Sequence, residues 1–214
     1  TINGGTSYNS GNIYSDTNTY QLANLEGVDA NTAWASAFMN ATSSMGAIHK
    51  TTNGGSTWTN MTAPGMYTNS ASFTNIVSFL TPNNGMTMGD PVNGEFEIWT
   101  TSNGGTSWTQ VPGANIPNAG EYGIVDLYCK QGTTNYWFGT QKGRVYRSTD
   151  AGLTWNATSL GAITSTVVEL AFADANNGII YAQGASGLEV YNTNNGGLSY
   201  NLISPTPANL GRND

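Results

Sequence analysis

The chain has 214 residues and a mass of 22.5 kDa, enough for one sizeable core. Only 9% of residues are charged, Gly is abundant (27 residues) and the net charge is −7, so the basic face that nucleic-acid binding requires is excluded. A lone cysteine, Cys129, rules out an internal disulfide, and no apolar run is long enough for a membrane-spanning helix.

The chain opens on a phrase that then recurs. Thr1-Ile-Asn3-Gly-Gly5-Thr-Ser7-Tyr8 returns at 51–58 around Asn53, Gly55 and Trp58, and at 101–108 around Asn103, Gly105 and Trp108. It returns again at 148–155 around Asp150, Gly152 and Trp155, and at 193–200 around Asn195, Gly197 and Tyr200. The five Asn/Asp positions stand 50, 50, 47 and 45 residues apart, a period that signals a repeat or propeller architecture. Each copy is turn chemistry. The Asn/Asp oxygen can accept backbone N–H groups, Gly supplies positive φ, and the closing ring covers the hairpin.

Between copies the pattern predicts four short strands separated by Gly/Asn turns, which is one propeller blade. Inner strands are expected at 22–28, 75–80, 123–129 and 167–172, and no stretch has sustained helical periodicity. Before each turn two columns align. Ile48, Ile98, Val145 and Val190 form one; His49, Trp99, Tyr146 and Tyr191 form the other. Neighbours on a strand point to opposite faces, so aliphatic and ring columns should pack against opposite neighbouring blades. The single histidine, His49, thereby reads as a packing residue, and Cys129, on an inner strand, as a buried inert thiol. One residue further back, Ala47, Glu97, Arg144 and Glu189 alternate in charge, which suggests pairing between blades.

The pattern Ser148-x-Asp150-x-Gly152-x-Thr154-Trp155 resembles the Asp-box (BNR-type) repeat of sialidase-like, sortilin-type and photosystem II assembly-factor-like propellers. The resemblance covers essentially the whole chain and implies an all-β propeller of four-stranded antiparallel blades, with the box between the third and fourth strands. It specifies architecture rather than activity, since enzymes and binding proteins share it. Blades are expected over 1–204, with an incomplete first blade at 1–14 and a tail or linker at 205–214. Four complete blades plus an orphan outer strand imply part of a six- or seven-bladed ring, or a partner chain that completes it.

In propellers of this resemblance the ligand face carries the fourth-to-first and second-to-third strand loops. There the ends of the second strands align as Ala37, Asp90, Thr140 and Gln183, with Asp90 the lone carboxylate. Glu121 and Tyr122, entering an inner strand, and Tyr67, a ring in a long loop, complete the candidate ligand-binding set. Asp90, Glu95 and Glu97 lack calcium-loop spacing, so no metal or other cofactor is expected. A sialidase needs an arginine triad, but only Arg144, Arg147 and Arg212 exist. A xyloglucanase-like hydrolase needs two carboxylates about 6.5–9.5 Å apart if inverting, for which Asp90 and Glu121 are the nameable pair.

The sequence therefore reads as a secreted or cell-surface, bacterial-type module that binds protein or glycan without catalysis. The alternative is a sialidase- or xyloglucanase-like glycoside hydrolase with catalytic residues partly outside this chain. No nucleic-acid partner and no transmembrane segment are expected.

Overall fold

Runs of Val, Ile, Thr and aromatic residues alternate with Asn/Gly turns along the chain, and those runs become strands. The computed structural model describes residues 6–7, 11–13, 19–39, 44–117, 120–161, 166–184 and 187–203. Among them, sixteen strands form four separate antiparallel sheets, each of four strands in chain order. Blade 1 holds β1 (Tyr20–Gly27), β2 (Ala33–Met39), β3 (Ser44–Thr51) and β4 (Thr59–Asn60). Blade 2 holds β5 (Thr74–Phe79), β6 (Gly85–Val92), β7 (Glu95–Thr101) and β8 (Thr109–Gln110). Blade 3 holds β9 (Gly123–Gln131), β10 (Asn135–Thr140), β11 (Arg144–Ser148) and β12 (Asn156–Ser159). Blade 4 holds β13 (Thr166–Phe172), β14 (Gly178–Gly184), β15 (Gly187–Thr193) and β16 (Asn201–Leu202). These are blades of a β-propeller, as the sequence predicts. The first box residues Asn3, Gly5 and Tyr8, and the tail 205–214, lie outside the described residues.

The repeated phrase folds the same way four times. Thr51 Oγ1 accepts the amide of Gly55 at 3.0 Å and donates to Asn53 Oδ1, which in turn accepts Thr57 N at 2.9 Å. Thr101 and Asn103, Ser148 and Asp150, and Thr193 and Asn195 repeat these bonds. The fourth residue of each phrase ties the turn to its own blade: the amides of Gly54, Gly104, Ala151 and Gly196 reach carbonyls of Asn31, Asn83, Thr134 and Asn176. That residue is left-handed every time, with φ of 67°, 66°, 62° and 75°. Three of these copies use Gly there; the copy at 148–155 uses Ala151, whose Cβ is strained at positive φ. Ala151→Gly is therefore expected to stabilise the chain by about 0.5–1 kcal/mol, the strain relieved less the entropy of a freer unfolded chain. Urea unfolding checks it; a loss of stability would show that the alanine carries no strain.

The seams between blades repeat as well. Trp34, Met86 and Trp137 hold one register position, opposite Lys50, Thr100 and Arg147 of the third strands, and all three are fully buried. Trp34 stacks on Phe79 of blade 2 at 3.7 Å, and Trp137 stacks on Phe172 of blade 4 at 3.9 Å. Trp137 Nε1 also donates to Gly196 O in the turn of blade 4 at 2.8 Å. The two columns divide as alternation requires. Ile98 of blade 2 and Tyr146 of blade 3 share one cluster; Val145 of blade 3 and Tyr191 of blade 4 share the next. His49 is buried in its ring column, and burial lowers its imidazole pKa below the usual value. Cys129 is a half-buried free thiol packed against the seam between blades 3 and 4.

Inner strands have a free edge toward the propeller axis, and its amides need partners. Two side chains of β1 supply them: Asn24 Oδ1 accepts Val77 N at 2.7 Å and Glu26 Oε1 accepts Phe79 N at 3.1 Å. Glu26 also forms an ion pair with Lys130 of β9 and accepts Tyr128 OH at 2.7 Å. Asn24 donates to Asp126 of the same strand. One inner strand thus links three blades through its polar side chains.

Two members of the alternating column, Arg144 and Glu97, have partners within their own blade or the loop leading into it. Arg144 forms its ion pair with Glu121 of its own blade. Glu97 accepts Tyr67 N, Ser72 Oγ and Trp99 Nε1, all from blade 2 and the loop leading into it.

Candidate functional site

Asp90 owes its position to a bulge. Register aligns Ala37, Gly89 and Ala182, which face Ala47, Glu97 and Glu189 respectively. Asp90 is not in that column, contrary to the alignment expected from sequence. It is the extra residue between Gly89 and Pro91, where the pairing of β6 with β7 shifts. A bulge re-aims a side chain, and this one turns Asp90 toward blade 3. Asp90 Oδ1 accepts Asn75 Nδ2 at 2.8 Å and the amide of Gly123 at 3.1 Å. Those bonds favour the carboxylate, but burial outweighs them and raises its pKa to about 6.

Gly123 directly follows Tyr122, so the Asp90 carboxylate is bonded to backbone next to Tyr122, at the seam between blades 2 and 3. The Tyr122 side chain is 57% exposed, while its carbonyl accepts the amide of Gln141. The exposed ring offers a stacking surface, and the half-buried carboxylate a hydrogen-bond acceptor.

Glu121 and Tyr67 have other roles. Glu121 is 4% exposed, ion-paired with Arg144, and accepts Thr140 Oγ1 at 2.9 Å and Tyr146 OH. Tyr67, expected as a stacking ring in a loop, is 1% exposed and sits in the core between blades 1 and 2. Its hydroxyl bonds Thr87 Oγ1 at 2.8 Å and its amide bonds Glu97. Burial raises its phenol pKa well above the usual value. A ring that solvent cannot reach cannot stack on a sugar. Of the four predicted ligand residues, Tyr122 is exposed and Asp90 partly buried, with the Asp90 carboxylate bonded to the amide that follows Tyr122.

Sequence reading missed a second feature. A cleft of about 560 Å³ lies around the tip of the β6–β7 hairpin, lined by Asn69, Asn93, Glu95, Glu97, Gln110 and Gly113 among others. It forms where three stretches distant in sequence meet, so no local pattern announces it. The Asn93-Gly94 tip, left-handed at both residues, is the signal that marks the hairpin. The cleft lies on the hairpin whose β6 arm carries Asp90. No group of three His, Cys, Asp or Glu residues among those described is placed to hold a metal ion.

The Asp90 pKa has a consequence for stability. Well below pH 3.8 the carboxyl is protonated in both folded and unfolded chains. From about pH 4 to 6 the unfolded chain gives up its proton first and stability falls; above pH 6 the penalty is complete. Asp90→Asn keeps an acceptor for Asn75 and Gly123 without the charge. It is expected to gain about 1–2 kcal/mol at pH 8, after allowance for solvent screening, and much less at pH 4. Urea unfolding at the two pH values measures this, and an equal gain at both would assign the effect elsewhere.

No protein-family model matches the sequence, and no curated protein matches it. Solved structures do resemble it in fold. YCF48 bound to D1 peptide is 15% identical, with a TM-score of 0.52, over 91% of this chain and 84% of that one. YCF48 from Cyanidioschyzon merolae, also 15% identical, aligns at a TM-score of 0.58 over 90% of this chain and 59% of its own. The GH74 enzyme of Niastella koreensis is 15% identical with a TM-score of 0.51, and this chain spans 38% of it. At such identities the likeness is one of fold.

Proposed function

We propose that the chain is a non-catalytic propeller module, carried on a secreted or cell-surface protein, that binds a basic segment of a partner protein at the Asp90–Tyr122 rim. The observation that carries this reading is the use of Glu121. A hydrolytic site at the rim needs a second carboxylate beside Asp90, and Glu121 is committed to Arg144, Thr140 and Tyr146. What the rim and the adjoining cleft offer is recognition chemistry: an exposed ring, a carboxylate, Glu95 and several amides, on a chain of net charge −7. Acidic and aromatic groups of this kind suit an extended peptide bearing Lys or Arg. The peptide held by YCF48 supports a protein ligand for this fold. The four-fold Ser/Thr–Asn/Asp hydrogen bonding supports assigning the turns to the Asp-box class. The low share of charged residues and the abundance of hydroxyls and amides favour export.

The test is a selection from displayed peptides run beside a glycan array and a xyloglucan hydrolysis assay. Lys/Arg-containing peptides should bind, and Tyr122→Ala should weaken them at least about tenfold. Binding to glycans alone, or release of sugar from xyloglucan, would overturn the reading in favour of a carbohydrate-active protein.

A further inference from the structure

Three glutamates are buried among the described residues, and their charges are met in different ways. Glu26 pairs with Lys130, and Glu121 with Arg144. Glu97 has neutral donors instead: Oε1 accepts Tyr67 N at 2.8 Å and Trp99 Nε1 at 3.1 Å, and Oε2 accepts Ser72 Oγ at 2.6 Å. It enters no ion pair among the described residues.

Glu97 lines the 560 Å³ cleft at the β6–β7 hairpin, and so does Glu95, two residues back on the same face of β7. That volume falls in the range of small-ligand pockets, about 300–1,000 Å³. The Glu95 carboxylate lies against Gly113, where a Cβ would overlap Oε2, so glycine is what seats it at the cleft wall. Among the described residues Glu95 has no hydrogen-bond or ion-pair partner. The walls add the amide side chains of Asn93 and Gln110, and no Lys, Arg or His.

Resting on the reading of this region as a site for a basic segment, we infer that the cleft receives an arginine side chain of that segment. Its guanidinium bonds Glu95 and is balanced further by the charge of Glu97. A carboxylate with amide oxygens beside it matches the planar fork of N–H donors that guanidinium presents. The compact ammonium of lysine uses such a wall less well. Calcium fits poorly: it takes about six to eight oxygens. No group of three acidic side chains among the described residues is placed to share a metal ion.

The probe is N-acetyl-arginine amide, titrated into the whole chain and followed by backbone amide NMR shifts. The amides of Asn93, Glu95 and Gly113 should move together and saturate, with a dissociation constant on the order of 1 mM. The lysine counterpart should bind at least about threefold more weakly. Glu95→Gln should weaken arginine at least about tenfold, since it removes the charged acceptor. Gly113→Ala keeps the charge but fills the space against which Glu95 lies, and should weaken arginine too. Gly113 is not left-handed, so its backbone accepts alanine. Both positions are partly exposed, and the rest of the spectrum should stay that of the parent. An arginine response at other amides, or one unchanged in Glu95→Gln, overturns the inference. A stronger response of these amides to calcium chloride overturns it in favour of a metal site. The cleft and the rim fail separately. A displayed peptide that is lost in Tyr122→Ala but retained in Glu95→Gln keeps the rim and overturns the cleft. Arginine held at Glu95 with no displayed peptide bound supports the cleft and overturns the rim.

Discussion

Trp137→Ala is expected to destabilise the chain by about 3–5 kcal/mol, the largest effect of any single truncation considered. The indole is fully buried between blades 3 and 4, stacked on Phe172, and its N–H holds Gly196 O in the turn of the next blade. Truncation leaves a cavity in the seam and an unpartnered carbonyl in a turn that otherwise repeats its bonds faithfully. Ile179 provides the internal comparison, since it occupies the same register position and is 48% exposed. In dilute solution Ile179→Ala should cost under about 1 kcal/mol. Denaturant unfolding of the two variants decides the matter. Equal costs would mean that burial at this position does not come from contact between blades.

Glu26→Leu should cost about 2–4 kcal/mol, through polar groups left behind rather than volume lost. Glu26 accepts Phe79 N and Tyr128 OH and pairs with Lys130, so its removal orphans donors on blades 2 and 3 at once. Lys130 is partly exposed and can turn its ammonium to water, which keeps the cost below that of a fully enclosed charge. A double-mutant cycle with Lys130→Met isolates the pair. The double variant should be more stable than the sum of the single losses predicts. A neutral Glu26→Leu would contradict the view that side chains of β1 tie the inner strands together.

The blades were legible because their signals are local. A turn that needs left-handed residues writes Gly-Gly into the sequence, and a strand with two different neighbours writes alternate rings and branched aliphatics. His49 could be placed as a packing residue for that reason. The rim was harder to read. Asp90 stands one residue away from its expected column because a bulge between Gly89 and Pro91 absorbs the difference, and nothing local to those residues fixes the register of β6 on β7. Glu121 looked available because its partner Arg144 lies 23 residues on, joined to it only when β11 pairs into the blade. Tyr67 sits in a loop of mixed polarity, and its burial depends on Glu97, 30 residues away, accepting its amide. Long-range satisfaction of polar groups decided all three positions, and a repeat pattern carries no record of it.

Amide hydrogen exchange of the chain with and without a selected Lys/Arg-containing peptide tests the proposed binding most directly. Protection should rise in the segments containing Asp90, Tyr122–Gly123 and Gln141, and that rise should be lost in Tyr122→Ala. Protection confined to another face of the blades, or unchanged by Tyr122→Ala, would contradict a ligand at this rim.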